Sequence, residues 1–508
     1  MCDGTKSNGA GETMSGGPGA NRAVNVTDGP LIKPLFVLSL PIVLTNMLQV
    51  AYNLADTFWV GRLGQDAVSA LSFSWAIVFL IITLAAGFTV AGTVLVAQNK
   101  GAGNLDRINA VAGQTIAFVI GLSVVFSIIG YALAPWLLQL IGATRGTEVF
   151  ALSVTYTRTM FLGIPFVFGF FIFQSLLQGW GDTRTPLYLM LLGVVLNVII
   201  DPFLILGFQS NLLFEVAGLT ALQANLYAAT GFGGYGVQGA AIATIASRGV
   251  GAVIAFALLL SGRVGIHLTP QDFVPTRETV SKIFRIGAPA SVEMSTQSLG
   301  VTVVTALVAI AGAEAVAAFG IGTRVTSLVV LPALGLARGT ETVVGQNLGA
   351  KQADRAKRAV FASAGITASV LVGVSVLVYL NAAAIVGIFI TGAEAAAVVA
   401  AGAEYLRIVG VTYVFLGVFY VVQGAYRGSG STRLAMIFGI VGLILLRIPP
   451  AYALLAWFDM GATGVWYGIA VANVLMVLLS GAYFLRGTWT DGVVDRGQPR
   501  RDIPADDD

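Results

Sequence analysis

Hydrophobic segments long enough to cross a lipid bilayer recur along almost the whole chain, from Pro34 to Phe484. A helix needs about 20 predominantly apolar residues to span the hydrocarbon core of a membrane. Only 10% of the 508 residues are charged, whereas soluble globular proteins carry roughly 25%. The sequence therefore predicts an all-α integral membrane protein with twelve transmembrane helices. The predicted spans are 34–58, 67–98, 108–140, 150–178, 185–207, 236–261, 280–310, 315–346, 356–388, 396–426, 433–456 and 462–486.

The second half of the chain repeats the first. At an offset of 248 residues, Pro41 aligns with Pro289, and the stretch Gly64–Leu71 aligns with Gly312–Phe319. Gln98-Asn99-x-Gly101-Ala102 also recurs, as residues 346–350. We therefore expect two six-helix bundles related by a parallel internal repeat: an N-lobe at 32–262 (helices 1–6) and a C-lobe at 283–487 (helices 7–12). Two such bundles leave a cleft that can open to either side by rocking.

Loop charges and polar ends indicate the topology. Lys and Arg are concentrated in alternate loops, for example 100–107 and 351–358, which places those loops in the cytoplasm. Both termini are then cytoplasmic, as is the interlobe linker at 263–282. Residues 1–31 lack an apolar run, and we expect a disordered tail with no secretory signal. Residues 488–508 are interpreted as a polar C-terminal tail.

Cysteine and histidine are almost absent. The chain has one of each, Cys2 and His267, which excludes disulfides, Cys/His metal sites and most nucleophile–base pairs. We therefore do not expect an enzyme, and a membrane-embedded transferase or protease is an unfavourable hypothesis.

An ordered set of short motifs covers about residues 32–487. In this order and at these places in the repeat, they resemble the multidrug and toxic compound extrusion (MATE) family of cation-coupled exporters. The motifs are Pro41, Tyr52-Asn53-x-x-Asp56-Thr57, Gly61-x-Leu63-Gly64, Gln98-Asn99-x-Gly101, Gln178-Gly179-x-Gly181-Asp182-Thr183-Arg184, Asn197-x-x-x-Asp201-Pro202 and Gly239-Ala240-Ala241-x-Ala243-Thr244.

Two carboxylates inside predicted helices belong to the first half alone. Asp56 aligns with Val304 and Asp201 with Pro450. A carboxylate at the centre of a membrane helix costs about 2.5–3.5 kcal/mol on insertion scales, so its presence indicates function. Asn197 is likewise polar in the first half alone, since it aligns with Leu446. It stands four residues before Asp201, on the same helix face.

Together with the Thr244 hydroxyl, these groups could surround one hard cation such as Na+. The resemblance implies the same set, because the N-lobe cation site of the family uses Asp, Asn, Asp and Thr at these motif positions. Repulsion between two close carboxylates also favours protonation of one, so coupling to H+ is an alternative. A purely structural role, with Asp56 and Asp201 hydrogen-bonded within the bundle, remains the competing interpretation.

Further polar residues are candidates for the lining of a cavity. They are Gln49, Tyr52 and Asn53 in the first half and Glu293 in the second. Glu293, Arg324 and Arg447 could form a C-lobe polar network or line the cleft. Pro41 removes a backbone hydrogen bond from helix 1 and allows a kink.

These expectations combine into one function. The chain is expected to be a cell-membrane antiporter that exports small organic, often cationic or amphipathic compounds in exchange for Na+ or H+. The alternative is a flippase for lipid-linked intermediates from the same broad superfamily. We expect a monomer in the lipid bilayer, with small-molecule substrates, no nucleic-acid partner and no cofactor besides the coupling ion.

Overall fold

The computed structural model describes residues 23–209, 211–390, 392 and 395–494. Within these ranges, eleven helices are long and apolar enough to span a membrane, and a pair of helices bent by 52° supplies a twelfth span. This confirms the predicted fold class. The spans are α1 (Ile32–Gly61), α2 (Gln65–Ala102), α3 (Leu105–Leu140), α4 (Glu148–Trp180), α5 (Arg184–Leu206), α6 (Val237–Leu260), α7 (Arg277–Ile310), α8 (Ala313–Gly349), α9 (Ala353–Leu380), the bent α10 (Ala395–Gly410 and Tyr413–Gly428), α11 (Thr432–Ala456) and α12 (Gly461–Leu485).

Several C-lobe helices are less regular than the hydropathy pattern predicts. The predicted span 356–388 ends at Leu380, and a separate short helix, Ala382–Gly387, follows it. The break in α10 follows Gly410, where the Thr412 hydroxyl donates to the Val409 carbonyl at 2.7 Å and so competes with the helical ladder. In α11, a π-helical stretch at Gly442–Arg447 precedes Pro449 and Pro450, which cannot donate to the ladder.

The two lobes meet through their first two helices. Helix α1 packs against α8, while α2 packs against α7 and α8. Gly87 and Gly335 occupy equivalent places in the repeat, and a Cβ on either would lie about 2 Å from the opposite lobe, at 2.1 Å from Ser291 N and 2.3 Å from Val43 Cγ2. Glycine therefore allows the close helix approach beside Pro41 and Pro289.

Both described chain ends lie at one face of the helix bundle, called here the terminal face. There the lobes exchange two hydrogen bonds from glutamines that are equivalent in the repeat. Gln98 Nε2 donates to the Gly428 carbonyl at 3.1 Å, and Gln346 Nε2 donates to the Gly179 carbonyl at 2.9 Å. The cleft is therefore closed at the terminal face.

The described part of the N-terminal tail is packed, not extended into solvent. The predicted disordered tail comprised residues 1–31; residues 1–22 lie outside the described ranges. The Val24 N–H donates to the Gly181 carbonyl at 3.1 Å, and the buried Val26 accepts through its carbonyl from Asn347 and Arg355. The structure differs from the expectation because Val26, in an otherwise polar stretch, buries its side chain between the lobes, and the partly buried Val24 packs against the same cluster.

The interlobe linker docks on α3. It is shorter than the predicted 263–282 because α7 begins at Arg277, where Thr276 caps the helix. The His267 N–H donates to Asn109 Oδ1 at 3.1 Å, and the Thr276 N–H donates to Gln114 Oε1 at 2.9 Å. The linker thus leads into the C-lobe while contacting the N-lobe.

The start of the predicted C-terminal tail is also packed, whereas residues 495–508 lie outside the described ranges. Trp489 is buried and stacks on Phe484, with ring centroids 4.7 Å apart. The backbone N–H groups of Val493 and Val494 then donate to Gln98 Oε1 in the N-lobe. The chain end therefore joins the C-lobe to the N-lobe at the terminal face.

Candidate functional site

Three N-lobe helices bring the predicted cation ligands together. Asp56 lies on α1, five residues before the helix ends at Gly61. Asn197 and Asp201 lie one turn apart on α5, and Thr244 lies on α6. All four side chains are buried. The site lies nearer to the face opposite the terminal face, because five residues of helix span only about 7–8 Å.

The four side chains contact one another directly. Thr244 Oγ1 donates to Asp56 Oδ2 at 3.3 Å, and Asn197 Nδ2 donates to Asp201 Oδ1 at 2.9 Å. The carboxyl groups of Asp56 and Asp201 also interact with each other, and the Asn197 side chain interacts with Asp56. The four predicted ligands therefore form a single cluster.

Three oxygens in this cluster remain unsatisfied. Asp56 Oδ1, Asn197 Oδ1 and Asp201 Oδ2 are buried and accept no hydrogen bond from the part of the chain that the structure describes. Buried polar atoms without partners are rare in proteins, and each one calls for an explanation such as a missing ion. A hard cation uses oxygen ligands of this kind, and a proton shared by the carboxylates would also satisfy two of them. The donor set therefore fits Na+ or H+.

A cavity of about 140 Å³ adjoins Asp56. Such a space holds a few water molecules or a hydrated ion. Most of its lining residues lie near the end of α1 and the start of α2, towards the face opposite the terminal face. Its lining residues are Asn53, Asp56, Thr57, Val68, Leu71, Ser72, Trp75 and Tyr156.

The other N-lobe candidates lie along α1 beside the cluster. The Tyr52 hydroxyl lies 2.9 Å from Ser247 Oγ on α6, and Gln49 Nε2 donates to Asn53 Oδ1 at 3.0 Å. Asn53 reaches the cavity, whereas Tyr52 is fully buried. Pro41 lies within α1, some four turns from Asp56.

The sequence analysis missed Arg248, a buried cation one turn after Thr244 on α6. Its guanidinium lies over the rings of Tyr52 and Phe170, at 4.8 and 5.2 Å from their centroids. It donates to Gln49 Oε1. A charge inside a predicted membrane span was part of the signal that singled out Asp56, and Arg248 carries the same signal within α6.

Glu293 belongs to a separate network in the C-lobe. Its Oε1 lies 2.7 Å from Arg427 Nη1, and Arg427 Nε lies 3.4 Å from Glu341 Oε2. Arg338 pairs with the same Glu341 oxygen at 3.2 Å. Arg427 is buried at the end of α10, where two carboxylates satisfy its charge.

The remaining C-lobe candidates lie apart from this salt-bridge network. Arg447 Nη2 donates to Asn473 Oδ1 at 3.0 Å, so Arg447 forms a polar contact between α11 and α12. Arg324 is exposed on α8. Neither arginine forms a salt bridge with a described carboxylate.

Two six-helix lobes in a membrane-spanning bundle, with a buried polar cluster inside the N-lobe, are typical of a multi-pass membrane transporter. The family profile described as MatE matches residues 41–203 and, separately, residues 289–453. The two matches begin at Pro41 and Pro289, which are the prolines aligned by the internal repeat. The chain belongs to the MATE family of transporters.

Individual relatives cover nearly the whole chain. A probable multidrug resistance protein of Bacillus subtilis, YoeA, is 29% identical over 455 residues, covering 87% of this chain and 91% of its own length. A protein of Shewanella oneidensis named FAD transporter is 26% identical over 451 residues, covering 88% and 92%. The solved outward-facing structure of a multidrug resistance MATE transporter is 25% identical, with a TM-score of 0.81 and coverage of 92% and 98%.

Proposed function

We propose that this chain is an antiporter that exports small organic, often cationic or amphipathic compounds in exchange for inward-moving Na+ or H+. The observation that carries the proposal is the cluster of Asp56, Asn197, Asp201 and Thr244, with three buried oxygens that lack a partner. Binding of a cation there neutralises charge that is otherwise costly in the membrane. Relatives named as multidrug resistance proteins support the export of drug-like compounds.

Coupling requires that the cation bind the two conformations of the transporter with different affinity. The closed terminal face, with the hydrogen bonds of Gln98 and Gln346, and the cavity beside Asp56 support the assignment of a state that opens away from the terminal face. Rocking of the lobes would break the glutamine bonds and open the other side. Helix α1 carries both Pro41 and Asp56, so a change in charge at Asp56 can be linked to bending of this helix.

We further propose that the terminal face is cytoplasmic. The loops at 100–107 and 351–358 lie at this face and carry Lys and Arg, as the positive-inside rule requires. Leu222 is exposed in the segment between α5 and α6, at the face opposite the terminal face. In a Cys2→Ser background, Leu222→Cys is expected to react with a membrane-impermeant maleimide added to intact cells, and Ala353→Cys only after the membrane is opened. Labelling of Ala353→Cys alone on intact cells would reverse this orientation.

Transport by purified protein in liposomes tests the function. Ethidium export is expected to accelerate under an inward gradient of Na+ or of H+, applied separately. A tenfold gradient stores about 1.4 kcal/mol, so a one-to-one exchange can build an ethidium gradient of about tenfold. FAD is the anionic comparison probe, because one relative carries that name.

The outcomes separate the hypotheses. Ethidium movement that neither gradient accelerates would contradict coupling. Movement of a fluorescent lipid-linked probe in the absence of ethidium export would favour a flippase. Liposomes without protein give the background rate for every probe.

A further inference from the structure

The chain end of the C-lobe crosses to the N-lobe at the terminal face, where the lobes must part if the transporter is to open on that side. Residues 488–494, which follow the end of α12, are called here the C-terminal strap. Near its start, Trp489 is buried in a hydrophobic cluster of the C-lobe, and its Nε1 donates to the Phe484 carbonyl at 2.9 Å. The strap is therefore anchored to the C-lobe.

The other end of the strap is attached to the N-lobe. The backbone N–H groups of Val493 and Val494 donate to Gln98 Oε1 at 2.7 and 3.2 Å. The side chains of both valines pack against a hydrophobic cluster formed mainly by N-lobe residues. Val493 also lies against Gly430 of the C-lobe, because a Cβ on this glycine would be 2.2 Å from Val493 Cγ2. Val493 thus fills the seam between the lobes.

The buried side chain of Gln98 binds the C-lobe through both of its polar atoms. Its Nε2 donates to the Gly428 carbonyl at 3.1 Å, while its Oε1 accepts the two N–H groups of the strap. Two of these three hydrogen bonds therefore come from the strap. A motion that parts the lobes at the terminal face has to break all three bonds or pull the strap off the N-lobe. Breaking them inside the protein would leave buried polar groups unpaired, which is costly.

We propose that the C-terminal strap holds the terminal face closed and so sets the fraction of molecules that open towards that side. This inference rests on the alternating access of the proposed function. The strap acts as an intramolecular ligand of the N-lobe that binds only while Gln98 lies beside the C-lobe. It shifts the equilibrium towards the closed terminal face by its affinity for that state. Its anchor at Trp489 keeps it close to its binding site, at a high effective concentration.

Ser39 on α1 can report the opening of the terminal face. It is buried, and it faces the C-lobe directly, since a Cβ on Gly339 would lie 2.3 Å from Ser39 Oγ. It stands seven residues after the start of α1, about 10 Å along the helix from the terminal face. Its Oγ has no hydrogen-bond partner among the described residues, so Ser39→Cys breaks no described bond. In a Cys2→Ser background, the rate at which a maleimide labels Ser39→Cys in purified protein measures how often the seam opens.

Two truncated chains that differ by two residues test the strap. A chain that ends at Gly492 keeps the anchor at Trp489 but lacks both donors to Gln98. A chain that ends at Val494 keeps the whole strap. We expect the shorter chain to label Ser39→Cys about tenfold faster, the equivalent of about 1.4 kcal/mol in the opening equilibrium. The longer chain should label at the rate of the full-length protein.

A substitution in the full-length chain gives a second route. Val493→Asp places a carboxylate beside the Gln98 oxygen and against the apolar cluster, and it should also accelerate the labelling of Ser39→Cys. Val493→Ile keeps the apolar contact and the backbone donor, and it should label at the wild-type rate. Ser123→Cys serves as the control for unfolding, because Ser123 is buried within the N-lobe on α3. It should stay unlabelled in every chain.

Equal labelling of Ser39→Cys in the chains that end at Gly492 and at Val494 overturns the inference. An equal acceleration at Ser123→Cys overturns it as well, because the strap would then support the fold of the N-lobe without controlling the seam. If the chain that ends at Gly492 does not fold, the comparison of Val493→Asp with Val493→Ile decides the question in the same way. None of these measurements needs a transported compound. A failure of both ion gradients to drive ethidium export would contradict the proposed function, and it is therefore distinguishable from a failure of the strap.

Discussion

Replacement of Asp201 by asparagine is expected to reduce cation-driven export by about tenfold or more, the rate equivalent of about 1.4 kcal/mol. The substitution preserves the size of the side chain and can keep a hydrogen bond to Asn197. It removes one of the two charges that attract a cation, and it replaces an oxygen ligand with an amide N–H₂. The protein should still fold, because a buried charge is lost and no packing is lost.

Export of ethidium from liposomes under the driving gradient is the measurement for Asp201→Asn, at matched protein content. Asp459→Asn serves as the matched control. Asp459 is exposed, and its φ of 54° is one that asparagine adopts readily. Wild-type export by Asp201→Asn would make Asp201 structural and would place the coupling site elsewhere.

Asp56→Asn is expected to impair export more than Glu293→Gln does, at matched expression. Each side chain has one buried carboxylate oxygen without a partner among the described residues. Asp56 faces the cavity and forms no salt bridge with a described cation, whereas Glu293 pairs with Arg427 at 2.7 Å. In Glu293→Gln, Arg427 keeps its contact with Glu341, so the electrostatic cluster of the N-lobe is unchanged. We therefore expect a loss of about tenfold for Asp56→Asn.

The melting temperatures of the two variants should rank in the opposite order, with Glu293→Gln the more strongly affected. Removing one partner of a buried ion pair typically costs about 3–5 kcal/mol, so Glu293→Gln should lower the melting temperature. Asp56→Asn removes a charge that no described cation pairs with, and its melting temperature should stay near that of the wild type. Stronger loss of export in Glu293→Gln, with equal stability of the two variants, would move the coupling site to the C-lobe.

Hydropathy was sufficient to predict the twelve spans, because every helix that crosses a bilayer needs a long apolar segment, irrespective of the helices it packs against. It did not predict the bend in α10, because Gly410 and Thr412 interrupt the ladder without changing the apolar pattern. The packed Val24 and Val26 were also missed: two valines are too few to outweigh a polar stretch, and their burial depends on both lobes being present.

The four side chains of Asp56, Asn197, Asp201 and Thr244 approach one another, while their role as cation ligands stays a prediction. The arginines were harder to interpret. Arg427 stands beside the Gly428–Ser431 turn, so it has the sequence context of a loop charge. Only the fold brings Glu293 and Glu341, from two other helices, to it.

The segments that precede the two lobes have exchanged places at the terminal face. The stretch before α1 contacts Asn347 and Arg355 at the C-lobe, and the linker before α7 contacts Asn109 and Gln114 on α3 of the N-lobe. Each lobe therefore extends its leading arm onto its counterpart, as two subunits do in an arm-exchanged dimer.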